Sequence, residues 1–275
     1  MSVVASVKVY DGIVIGAESM TQLLANVPGA QQPMCIKSYS HAQKIFQIAK
    51  LPIGVLTYGM GNIGSRSMES LVHDFSQLEE RDDPERVDKS VEGVARRLHA
   101  FINQHYPNEF RAVAEAQRPM VGFYIAGYSA GQQQHHLGSE WEFIIPQQAE
   151  PVRARDDNGV GASWRGIHVP FTRLFFGVDP RIEGILQGLG VSADVLARFR
   201  QAVQMQLISR VAFEGMPIQD AVGFCRFIIQ TTIGMATYEI GIASCGGPIH
   251  TAVITRSGFK WISPPKITLG EEESK

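Results

Sequence analysis

Three short stretches of this chain carry residue types that do chemistry. The first is the N-terminus, where Met1 precedes the small residue Ser2. Aminopeptidase removal of Met1 would leave Ser2 with a hydroxyl nucleophile and an α-amino group on one residue. That amine has a reference pKa of about 7.7–8.0, so it can act as general base near neutral pH. The second stretch is Gly127 to Gly131, a literal G-x-S-x-G with Ser129 at its centre; Asp179 and His250 follow in the order Ser, Asp, His. The third is G-x-G-x-x-G at Gly59, Gly61 and Gly64, after an apolar run and before a helical pattern.

The context of each stretch separates these readings. A dinucleotide site needs a second parallel strand after the helix, ending in an acidic residue that holds the ribose. Here the helical pattern runs into "EERDDPERVDKS" and a second helix, with no apolar strand between them. The glycines therefore read as a strand–helix turn that needs small residues, and no cofactor or metal is expected. A nucleophile elbow at Ser129 needs a helix after it. The sequence continues instead as "QQQHHLGSEWEF", a polar turn and another strand, and no His-Gly-Gly oxyanion segment precedes it. A tight hairpin is the simpler reading, with a Ser129-based serine hydrolase as an alternative.

Composition narrows the field further. The chain has 275 residues and a formal net charge of −2, so no strong field favours nucleic acid or an anionic membrane. The three cysteines, Cys35, Cys225 and Cys245, have no C-x-x-C spacing. That excludes a disulfide framework and a zinc site and fits a reducing compartment. No run reaches the roughly 18 apolar residues of a membrane span. The N-terminus lacks a basic segment followed by an apolar one, so a cytoplasmic location is expected.

The elements that must position these residues read as follows. "SVVASVKVYDGIVIGAES" is a strand pair around an Asp-Gly turn. Residues 22–43 look irregular. "KIFQIA" and "IGVLTY" form a second strand pair. Met68, Leu71, Val72, Phe75 and Leu78 mark a helix, and a second begins near Pro84 with Val91, Val94, Leu98 and Ile102 on one face. "PMVGFYIAGYSA", "SEWEFIIP" and "WRGIHV" are strands, and residues 147–163 are a polar loop. Helices follow near Ile182, from Val195 to Phe213 with Ser192 as N-cap, and after Pro217. "HTAVITRSGFKWIS" is a closing hairpin. Strands, two helices, strands, helices, strands is not the alternation of a parallel sheet; it suits an α+β fold of stacked antiparallel sheets with helices outside. No repeat or linker divides the chain. Residues 2–265 read as a single domain, and 266–275 as a disordered tail.

Five of these stretches occur in an order that resembles the proteasome β-subunit family and its bacterial relatives, which are N-terminal nucleophile hydrolases. They are "SVVASVKVYDGIVIGAES", "KIFQI", "IGVLTYGMGNIG", "YIAGYS" and "SCGGPIHTAVITRSG". The resemblance implies a four-layer α/β/β/α sandwich of two antiparallel sheets, covered by helices over 63–80, 85–105, 193–213 and 217–236. It implies Ser2 as nucleophile, where most of the family has Thr. Lys44 would stabilise the alkoxide, Glu18 would pair with Lys44, and the Gly59 N–H would be the oxyanion donor. Cys245 takes the place of a serine in the family's Asp-x-x-Ser-Gly-Gly pattern. That pattern reads here as Ile242-Ala-Ser-Cys245-Gly246-Gly247, with its carboxylate missing unless Glu239 replaces it.

Glu18 departs from the family's Asp by one methylene. The segments from Thr21 to Lys44 and ahead of the Ser-Cys-Gly-Gly turn are also longer than in typical members. No propeptide is seen, so Met1 removal alone would expose Ser2. The implied function is proteasome-type cleavage of peptide bonds in peptides or unfolded protein. The implied assembly is a homo-oligomeric ring or spiral, with an ATPase as a further partner. Alternatives are a non-catalytic structural subunit and a small-molecule amidase or acylase.

Overall fold

A computed structural model describes residues 2–25, 34–81, 87–110, 113–114, 117–129 and 137–266. The chain opens with β1 (Val3–Val9), β2 (Gly12–Glu18), β3 (Thr21–Ala25), β4 (Met34–Tyr39), β5 (Ile45–Gln47) and β6 (Ile53–Gly59). The short β7 (Asn62–Ile63) and β8 (Arg66–Ser67) lead into α1 (Met68–Arg81) and α2 (Val91–Glu109). Then come β9 (Val121–Gly127), β10 (Ser139–Ile145), β11 (Val152–Arg155) and β12 (Gly161–Gly166). Four helices follow: α3 (Val169–Phe176), α4 (Ile182–Gly188), α5 (Ala193–Gln206) and α6 (Ile218–Tyr238). The hairpin β13 (Ile249–Thr255) and β14 (Gly258–Ser263) closes the order.

Two five-stranded sheets dominate. The first runs β12-β1-β2-β13-β14 and the second β11-β10-β9-β6-β5. Neighbouring strands in both are antiparallel. The reason lies in strands that are apolar on both faces. In β1, Val4 joins Ile13, Ile15, Ala17, Ala252 and Ile254 against Ile45, Leu56 and Tyr124 of the second sheet. On the other face of β1, Val3, Ala5 and Val7 pack with Val222, Cys225 and Ile229 of α6. The outer face of the second sheet, with Val55, Phe123 and Phe143, is covered by α1 and α2. Side chains alternate across a strand, so period two divides each strand between these cores. Ser90 caps α2 by accepting from Gly93 N at 3.0 Å.

The expected four-layer sandwich is corrected. Two two-stranded sheets, β3–β4 and β7–β8, stand beside the large ones. Residues 193–213 are not a covering helix. The α5 helix ends at Gln206 and buries only Leu196 and Val203. Its apolar residues Phe199 and Val203 turn instead toward Phe176 and Ile182, around a cavity of about 330 Å³. A helix was expected here, but its apolar residues face other helices and not a sheet.

Other expectations also change. Residues 34–39 and 21–25 pair as strands where irregular chain was expected, and 152–155 is a strand within the expected loop. Pro84 and the tail from residue 267 lie outside the described residues. Among the described residues, no helix is long and apolar enough to cross a membrane.

The spacing of the two sheets depends on Gly54. A methyl group there would sit 2.6 Å from Ile15 Cδ1 and 2.9 Å from Ile254 Cδ1, both across the interface. Gly54→Val is expected to force the sheets apart and cost about 1–3 kcal/mol. A urea titration checks this: the midpoint falls while the slope stays constant.

Candidate active site

Ser2 stands at the entry to β1 and is buried. Its carbonyl accepts from Ile167 N at 2.8 Å, which fastens it to the end of β12. Ser2 shares a strand face with Val4, so it points toward the space between the sheets. In the neighbouring strand β2, Glu18 is the last residue, and it is fully buried. Lys44 immediately precedes β5 in the other sheet, where its carbonyl accepts from Thr57 N at 3.0 Å.

The two sheets meet chemically at this end. Lys44 Nζ donates to Glu18 Oε1 and to the Met20 carbonyl at 2.5 Å. The second Glu18 oxygen accepts from Met20 N at 2.8 Å and from Gly246 N at 3.1 Å. Both oxygens of this buried carboxylate are thus met by donors, as burial of a polar group requires. Burial pulls Lys44 below the ordinary lysine range, and the Glu18 carboxylate opposes that pull. Cys245 is buried beside this pair. Its thiol is pushed up to about 12, first by burial and then by the Glu18 charge, so it stays protonated and unreactive.

Gly59 ends β6 with φ +91°, which favours glycine. A methyl group there would meet the Met120 carbonyl at 2.5 Å. Gly166 links this strand end to the N-terminus. A methyl group at 166 would lie 1.9 Å from the Ser2 carbonyl oxygen and 3.6 Å from Tyr58 Cβ. Glu18, Lys44 and Cys245 are therefore brought together; Ser2 precedes β1 and Gly59 ends β6. Glu239 is not brought in. It caps the end of α6, exposed, with Arg181 near its charge.

The other motifs resolve differently. Gly61 and Gly64 belong to the small β7–β8 hairpin, and α1 begins only at Met68; the strand before them is antiparallel to both neighbours. Ser129 Oγ accepts from Val91 N at 3.2 Å, and Asp179 is held by Arg173 and Arg181. His250 lies buried in β13, where burial and the charges of His41 and Lys44 hold it below the ordinary histidine range. Among the described residues, no hydrogen bond joins Ser129, Asp179 and His250. The proximity of His250 to Lys44 was missed by the sequence reading. Its signal was period two, which puts His250 on the face of Ala252 and Ile254.

A groove of about 620 Å³ between β5 and α1 opens beside Gln43, next to Lys44, and is lined by Gln47, Ser67, Glu69 and His73 among others. Among the described residues, no cluster of three His, Cys, Asp or Glu side chains is placed to hold a metal.

Removing one member of the buried pair leaves the other charge without its partner. Lys44→Met is expected to cost about 3–5 kcal/mol. Adding Glu18→Gln to it should recover part of that loss, giving a coupling energy in a double-mutant cycle followed by urea unfolding.

Comparison with known proteins comes from structure alone. No family model matches the sequence, and no curated protein matches it. One similar solved structure is an Anbu (Gly-1) mutant from Hyphomicrobium sp. strain MC1. It has a TM-score of 0.55 and 15% identity, over 99% of this chain and 89% of that one. Another is Anbu (ancestral beta-subunit) from Yersinia bercovieri, with a TM-score of 0.51 and 12% identity, over 95% of this chain and 87% of that one. Identities this low show a shared fold and nothing finer. The assignment to the proteasome β-subunit family itself is corrected: the likeness in fold is to Anbu structures, and no sequence match ties the chain to the β-subunits.

Proposed function

We propose that this chain hydrolyses amide bonds through Ser2, freed by removal of Met1, with peptides or unfolded protein as substrate. The observation that carries the reading is the buried Lys44–Glu18 pair beside β1, the strand that Ser2 leads into. A lysine and a glutamate taken out of water at a strand end cost several kcal/mol per ion unless well compensated. The pair is kept, in this reading, because its charge is held ready for a reacting atom. In this reading the Ser2 α-amine takes the hydroxyl proton as Oγ attacks the carbonyl carbon. The Lys44 ammonium lowers the cost of the alkoxide, and the Gly59 N–H donates to the developing oxyanion. One such donor is worth about 2.7–4 kcal/mol in other hydrolases. The intermediate collapses, the C–N bond breaks, and the leaving amine takes the proton. Water then attacks the acyl carbon with the same amine as base, and the acyl–Oγ bond breaks to restore Ser2.

The groove beside Gln43 offers hydrogen-bonding side chains to a bound peptide. Leu189, Tyr238 and Ile240 are strongly exposed and favour burial against further copies of the chain. A homo-oligomeric ring or spiral, fed by an ATPase, is the assembly we propose, with a cytoplasmic site of action. Two observations favour the non-catalytic structural subunit as a second reading: an inert thiol stands at 245, and the Glu239 carboxylate is exposed at the end of α6.

Intact-mass spectrometry with a β-lactone separates these readings. The expected result is a chain lacking Met1, with one adduct that maps to Ser2 and is lost in Ser2→Ala. A native protein that retains Met1 removes the proposal. No adduct on the Met1-free chain supports the structural subunit, and loss of the adduct in Ser129→Ala points to the elbow. A panel of fluorogenic peptides against simple acyl amides tests the substrate class. The pH profile adds a further check. The Glu18 carboxylate raises Lys44 against the downward pull of burial. Glu18→Gln is therefore expected to let the ammonium lose its proton at lower pH. The alkaline limb of the rate profile should move down in pH.

A further inference from the structure

Glu18 and Lys44 belong to different sheets, and the turn carrying Cys245 belongs to a third stretch of chain. One buried residue touches all three segments. Ser19, fully buried, follows Glu18 directly. Its N–H donates to the Gly246 carbonyl at 3.2 Å, and its own carbonyl accepts from Ala42 N at 2.8 Å. Its hydroxyl oxygen lies 2.6 Å from the Ser40 carbonyl and 2.7 Å from the Pro248 carbonyl. A serine has one hydroxyl proton, so it donates to one of these oxygens at a time while sitting between both.

The fit around this hydroxyl is tight. Gly247 has φ +76°, and a methyl group there would lie 2.8 Å from Ser19 Oγ and 2.6 Å from the Ser40 carbonyl. Both hydroxyl neighbours are backbone carbonyls, which accept a hydrogen bond but do not remove a proton. Ser19 is therefore built to hold chain and not to attack substrate. The segment it holds, residues 40–42, ends two residues before Lys44, whose ammonium bonds Glu18 on one side of Ser19 and the Met20 carbonyl on the other.

We propose that Ser19 is a positioning residue: its hydroxyl clamps residues 40–42 to the 244–248 turn and thereby fixes where the Lys44 ammonium stands. The consequence for catalysis rests on the Ser2 reading; the placement of Lys44 does not. A site of this kind tolerates little error, since a 1 Å misplacement can cost about 100-fold in rate.

The experiment uses the full chain as Ser19→Ala and Ser19→Thr, with folding of each checked by urea titration. Peptide turnover gives kcat and KM, and trace acetylation across a pH series, read by mass spectrometry, gives the reactivity of Lys44. The expected result for Ser19→Ala is a kcat lower by about tenfold or more with KM little changed, and Lys44 acetylation altered several-fold. Ser19→Thr, which keeps the hydroxyl, should restore the parent Lys44 labelling. The proposal is overturned if Ser19→Ala folds and labels at Lys44 like the parent, whatever happens to turnover. If Ser19→Ala does not fold, the threonine variant decides, and altered Lys44 labelling in a folded Ser19→Thr overturns the proposal. A parent chain that shows no turnover counts against the Ser2 reading alone, because Lys44 labelling still tests the clamp.

Discussion

A lysine and a glutamate buried together at one end of two stacked sheets constrain much of the rest of this structure. Neither charge is tolerable in that place alone. Glu18 is therefore met by the ammonium and by two backbone N–H groups, and Lys44 by a carboxylate and a carbonyl. Those groups come from three stretches of chain, residues 18–20, Lys44 and Gly246. The pair can form only when β2, the lead into β5, and the turn around Gly246 are all in register. An electrostatic requirement between two side chains thus becomes a requirement on the topology of both sheets.

The two sheets supply that register through packing. Strands such as β1 and β2 are buried on both faces, so their side chains serve two cores at once. A slip of one residue would exchange those faces. The polar residues of β1 resist it: Ser6 bonds Glu140 at 2.5 Å, and Lys8 reaches the Gly138 and Asp157 carbonyls at 2.8 Å. The Ser6 bond lies at the middle of β1 and the Lys8 bonds at its end opposite Ser2. The N-terminal strand is thereby pinned at its far end by side chains and at its near end by the Ser2 carbonyl.

Much of this was legible in residue order. The alternation and the Asp-Gly turn located β1 and β2, and the stripe Met68, Leu71, Val72 and Phe75 located α1, where all four are buried. Leu78 completed that stripe on paper but is exposed, and its neighbour Glu79 is buried instead with Lys89 and Arg97. A helical period reports which face is apolar. It does not report which partner that face finds, and α5 shows the same limit at Phe199 and Val203. The assignment to the proteasome β-subunits failed for a related reason. Short motifs in a shared order mark a fold, and at 15% and 12% identity to Anbu the fold is what persists.

By itself, the sequence determined the local facts: strands where period two holds, helices where the apolar stripe recurs, glycines where the chain turns. It also placed Ser2, Glu18, Lys44 and Cys245 in the chain as residues of interest. Only the tertiary structure decided that Glu18, Lys44 and Cys245 meet, that Glu239 stays outside, and that Ser19 joins the three segments. The physical reason is range. Backbone propensity and periodicity act over a few residues, whereas the bond between Glu18 and Gly246 joins residues 228 positions apart. A contact of that separation exists only after both sheets have packed.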